Sequence, residues 1–79
     1  MICGTVVKSI AGRDKDRFYI VVASEGDRLW IANGKERKLS HPKKKNSKHL
    51  METTSRIDLS TITSDKSLKK ALTILDSID

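Results

Sequence analysis

Apolar positions in the first half of the chain come in short β-branched runs parted by polar turns. Residues 2–10, ICGTVVKSI, are rich in Val and Ile and too short for a convincing helix, which predicts a strand. AGRDKD, residues 11–16, is a polar turn led by Gly12. RFYIVVASE, residues 17–25, carries the strongest strand signal. Alternation puts Phe18, Ile20 and Val22 on one face and Tyr19, Val21 and Ala23 on the other. A strand apolar on both faces belongs at the centre of a sheet covered on each side. EGDR (25–28) reads as a tight connection and LWIA (29–32) as a third strand. Asn33-Gly34 is the best hairpin signal, since a type I′ turn needs positive φ at both central residues. A short, charged fourth strand is expected from Glu36 to Ser40, a basic connection from Lys43 to Lys48, and a fifth strand from His49 to Thr53.

The pattern then changes. Residues 55–63 are rich in Ser and Thr without a clear period. From Asp65 the spacing becomes helical, with Leu68, Ala71, Leu72 and Leu75 on one face and Ser64 or Asp65 as the N-cap. Such a short helix is marginal alone, so it either packs on the strands or orders on a partner. Packing is the first reading of the leucine stripe. The expected organisation is a β unit over 1–54, then a linker and helix over 55–79. Five short strands joined by tight turns suggest a small antiparallel barrel or sandwich.

Composition changes this picture mainly through charge. A chain of 79 residues holds at most one thin core, built here from Val, Ile and Leu because only Phe18, Tyr19 and Trp30 are aromatic. The formal charge is +6. Between Lys35 and Lys48 stand seven basic residues and one acid, Glu36, which alone gives +6. From Glu52 onward four basic and five acidic residues give −1. A charge so localised points to a polyanion, nucleic acid before membrane. A lysine run is ordinarily a solvated face, and Arg13 and Lys15 stand beside Asp14 and Asp16, which could neutralise them. Trp30 in mid-strand reads as core or rim before stacking platform. One cysteine, Cys3, forms no internal disulfide and fits a reducing compartment. His41, His49 and Cys3 lack metal-ligand spacing, and Cys3 has no orienting base, so neither a metal nor catalysis is expected. No secretory pattern and no apolar run of about 20 residues is visible, so a soluble cytoplasmic protein is expected.

Two stretches belong together: GTVVKSIAGRDKDR (4–17) and NGKERKLSHPKKKNSKHL (33–50). The first resembles a KOW motif, a β-branched strand, a glycine and a basic and acidic loop leading to a second strand. Val6, Val7, Ile10, Gly12, Arg13, Asp14 and Lys15 stand in those places. The second is similar to the ends of KOW domains in a large-subunit ribosomal protein family of archaea and eukaryotes, and in bacterial KOW-domain RNA-binding proteins. The resemblance covers about the first 51 residues. It implies a mainly β fold, a small Src-homology-3-like five-stranded antiparallel barrel, here with a C-terminal helix. It also implies a ribosome-associated module binding ribosomal RNA of the large subunit, with ribosomal or translation proteins as further partners and no cofactor. With the charge pattern, it marks Arg13, Lys15, Arg17, Lys35, Arg37, Lys38, His41, Lys43, Lys44, Lys45, Asn46, Lys48 and His49 as RNA-contact candidates. The chain departs from the family at Asp16, where a glycine is usual; Asp can take positive φ there at some cost. The alternative is a protein-interaction adaptor in transcription or translation, using the helix.

Overall fold

The structure, a computed structural model, describes residues 2–78, with side chains as far as Ile74. Its strands are β1 (Thr5–Ser9), β2 (Phe18–Glu25), β3 (Arg28–Ala32), β4 (Lys43–Asn46) and β5 (Leu50–Arg56). They form one open antiparallel sheet in the order β4-β3-β2-β1-β5, followed by a helix, α1 (Asp65–Ile78). The centre falls to β2, the strand apolar on both faces. Between Val21↔Ile31 and Ala23↔Trp30 the β2–β3 register shifts, leaving Val22 as an extra residue that bends the strand. β2 and β3 join through Gly26 and Asp27, with positive φ at Gly26 and not at Asp27, as a type II′ turn requires.

Alternation on β2 divides the core into two layers. Val7, Tyr19, Val21, Leu29, Ile31 and Leu50 cluster on one face of the sheet. Val6, Ile20 and Ala32 cluster on the other with Leu68 and Leu72 of α1, flanked by Phe18, Val22, Leu39, Ile57, Leu59 and Ile62. The helical stripe is therefore spent on the sheet, and each large side chain so buried contributes about 1.5–3 kcal/mol before entropy is counted. Leu75, the fourth position of that stripe, lies outside the described side chains. Ser64 caps the helix: its hydroxyl accepts from the Ser67 amide at 3.2 Å, while the Ser64 amide donates to the Ser67 hydroxyl at 3.2 Å. Asp65 has another task. Its Oδ1 accepts from the Leu39 amide at 2.7 Å and ties α1 to the loop before β4.

That loop is where the structure departs from expectation. Residues 36–40 form no strand, and Lys43–Asn46, expected as a connection, forms β4 instead. Asn33-Gly34 is not a two-residue hairpin. The Asn33 carboxamide oxygen accepts from the amides of Lys35 and Arg37, both at 3.0 Å, so the side chain organises a wider turn. Gly34 has φ 78°, and its Cα faces the Asp65 carbonyl and the Lys69 amide so closely that a Cβ could not fit. The glycine serves close passage against α1. Asp16 does adopt positive φ, 71°, and opposes Ser9 together with Arg17: the Asp16 amide donates to the Ser9 carbonyl at 2.7 Å and the Ser9 amide to the Arg17 carbonyl at 2.9 Å. This is a bulge whose first residue sits in the left-handed region, where glycine is the usual occupant.

Candidate nucleic-acid interface

At Lys43–Asn46 four polar residues in a row form an edge strand because their alternation is useful. Lys43 and Lys45 point inward, while Lys44 and Asn46 are exposed. Inward-pointing charge on an edge strand also discourages pairing with other chains. The Lys45 side chain is only 8% exposed, and its ammonium donates to Asp14 Oδ1 at 2.7 Å, Ser9 Oγ at 2.8 Å and the Ala11 carbonyl at 3.3 Å. Lys43 Nζ lies 3.4 Å from Asp14 Oδ2. Ser9 Oγ donates to Asp14 Oδ1 at 2.9 Å and the Tyr19 hydroxyl to Oδ2 at 3.3 Å. Burial pushes the Asp14 carboxyl up, but the hydrogen bonds from Lys45 and Ser9 and the charges of Lys45 and Lys43 outweigh it and hold the group well below the usual carboxylate range. Burial first, then the Asp14 charge, pushes Tyr19 up to about 12. β4 thereby fixes the 11–16 loop to the β1–β2 end of the sheet.

This network decides which sequence candidates can reach a partner. Lys45, expected at the surface, is taken into the interior by Asp14, and Lys43 is half withdrawn. The acids beside Arg13 and Lys15 do not neutralise them, because Asp14 turns inward and Asp16 lies 3.8 Å from Lys8. Among the described residues, Arg13, Lys15, Lys35, Arg37, Lys38, Lys44 and Lys48 are exposed and enter no ion pair. Arg17 pairs with Glu36 at 2.8 Å, and the Asn33 carboxamide donates to the other Glu36 oxygen at 2.7 Å. That carboxamide, chiefly, and the charge of Arg17 hold the Glu36 carboxyl below its ordinary value.

Four candidates come together. Arg13, Arg17, Arg37 and Lys43 line an open groove of about 320 Å³ with Tyr19, Asp14 and Glu36. These cations come from the 11–16 loop, the residue just before β2, the 33–42 loop and the start of β4, all at one end of the sheet. Arg17 and Lys35 share a second groove, of about 330 Å³, with Phe18, Leu72, Thr73 and Lys69. Other candidates lie apart. Lys44 pairs with Trp30 of β3 and points to the opposite side of its strand from Lys43 and Lys45. Lys48 and His49 belong to a 3-10 turn, Ser47–His49, capped by Asn46, whose Oδ1 accepts from the Lys48 amide at 2.9 Å. His41 Nδ1 lies 3.0 Å from Ser40 Oγ. Sequence reasoning missed Lys69, since its place beside Lys35 follows only from the packing of α1 against Gly34.

Arginine forks in a shallow groove can grip phosphate oxygens two at a time, and lysines around them act as point charges. The Arg17–Glu36 pair is half exposed and so worth little, about 0–1 kcal/mol, which leaves Arg17 open to competition by a phosphate. No helix among the described residues is long and apolar enough to cross a membrane. In comparisons with known proteins, no family model matches the chain and no curated protein matches it.

Proposed function

We propose that this chain is a non-catalytic RNA-binding module that associates with ribosomal RNA of the large subunit. The observation that carries the reading is the convergence of Arg13, Arg17, Arg37 and Lys43 on one groove, rimmed by further unpaired cations. The resemblance of residues 4–17 and 33–50 to KOW segments supports it. So does the strand order, in which β4 and β5 are the two edges yet are joined by a single 3-10 turn. The ammonium of Lys45 on one edge strand reaches Ser9 on β1 across the open sheet, a contact that supports reading the fold as a small, partly open Src-homology-3-like barrel. Loops held this way present charge on a fixed scaffold, suited to the shape and backbone of a folded RNA more than to its sequence.

The test changes cations that are exposed and enter no ion pair among the described residues. Substituting Lys43, Lys44 and Lys45 together would also unseat Asp14, so Arg13→Glu with Arg37→Glu is the cleaner pair. Each phosphate contact contributes about 0.7–0.9 to the slope of log K against log salt, so the double variant should flatten it by about 1.5 while affinity for ribosomal RNA falls sharply. Unchanged cosedimentation of this variant with large ribosomal subunits would sink the proposal. The rival adaptor reading gains no support from α1, whose leucines at 68 and 72 already face the sheet.

A further inference from the structure

The second groove lies between the 33–37 loop and α1, and only the Arg17–Glu36 pair, which lines both, divides it from the arginine-lined groove. Phe18 and Leu72, both packed into the second core layer, supply an apolar patch in a lining that is otherwise polar: Lys35 and Lys69 bring positive charge, Asp16 and Glu36 negative charge, and Asn33 and Thr73 complete it. Gly34 sets that spacing, since a Cβ there would meet the Asp65 carbonyl and come 3.1 Å from the Lys69 amide. Lys35, the next residue, is therefore held beside the first turns of the helix. A volume of about 330 Å³ sits at the lower end of the range for small-molecule pockets, about 300–1,000 Å³. That suits one flat heterocycle better than a peptide segment.

We propose that this groove receives one extruded base of an RNA whose phosphates lie on the neighbouring arginine-lined groove. The inference rests on the RNA-binding reading and names the kind of RNA it takes: one with an unpaired nucleotide, a bulge or loop, in place of a continuous duplex. In an A-form duplex the bases are stacked inside and cannot enter a side groove, whereas bulged bases splay out and pack on apolar and aromatic side chains. Base and phosphate of one nucleotide are separated by a single sugar, and here the groove that holds Phe18 and Leu72 is separated from the arginine-lined groove by a single ion pair. Lys35 and Lys69 would steady the flanking phosphates, and Arg17 could leave Glu36 for one of them.

The experiment compares a fully paired RNA hairpin with the same hairpin carrying one bulged adenosine, by fluorescence anisotropy with the full chain at one fixed salt concentration. The bulged hairpin should bind about tenfold more tightly, as one stacked base would give. Thr73→Trp, an exposed helical position lining the groove, fills it without altering charge. It should abolish the advantage and leave affinity for the paired hairpin unchanged, with circular dichroism checking that the helix is intact. Lys69→Ala should reduce the advantage and lower paired-hairpin affinity only slightly. Equal binding of both hairpins to the unaltered chain, or an advantage that survives Thr73→Trp, overturns the inference while the RNA reading stands. If neither hairpin nor ribosomal RNA binds, the RNA reading falls and takes this one with it.

Discussion

The two carboxylate oxygens of Asp14 serve three parts of the chain: Ser9 on β1, Tyr19 on β2, and Lys43 and Lys45 on β4. Taking a carboxylate and an ammonium out of water is costly, and the cost is met only because every lone pair and proton finds a partner. No buried side-chain nitrogen or oxygen among the described residues lacks one. The single tyrosine of the chain reports on this charge. Its pKa rises from 10.0 to about 12, so the neutral hydroxyl is the form the fold favours. That contribution to stability is fully present below pH 10 and is lost as pH rises through 12. Absorbance titration of Tyr19 in the folded chain should therefore give a midpoint near 12, falling back to about 10 in urea. A midpoint near 10 in both would mean that Tyr19 is neither buried nor beside Asp14. None of this was legible locally: Asp14 stands between Arg13 and Lys15, while its cationic partners lie 29 and 31 residues further on.

Among the elements, β2 was legible because period-2 alternation of large apolar residues admits few other readings, and its bounds differ by one residue from those expected. α1 was legible for the same reason at period 3.6. β4 was not, because KKKN has no apolar position to reveal a period, and its inward face is closed by an ion pair formed across the sheet. Asn33-Gly34 misled because positive φ at glycine was read as a hairpin requirement, when the glycine is needed for passage under α1. The candidate cations were legible as a charge run, but their division into surface and interior depended on the register of β4. Two glycines with positive φ separate these causes. Gly26 has φ 58° and nothing within 4 Å of a Cβ, so Gly26→Ala should cost only the backbone penalty of about 1–2 kcal/mol. Gly34→Ala adds a clash with the Asp65 carbonyl and should cost at least twice as much, measured by urea denaturation. Equal costs would show that the loop does not pass against the helix.

The whole molecule is a single sheet with a thin apolar layer on each side, and its extents of 26 × 24 × 22 Å leave neither layer large enough to stand alone. Leu68 of α1 is fully buried against Val6, Ile20 and Ala32, and a 14-residue helix has little stability of its own. Helix and sheet should therefore unfold as one unit, although composition and period divide the chain near residue 55. Trp30, the only tryptophan, reports on β3, and the helical circular dichroism signal reports on α1. In urea the two signals should trace one transition. Leu68→Ala, which opens a cavity between helix and sheet, should lower both midpoints together, at a cost of about 2–5 kcal/mol. If the helical signal were lost first while Trp30 stayed in its folded environment, α1 would be an appendage, and the groove it forms with Lys35 would have no fixed wall.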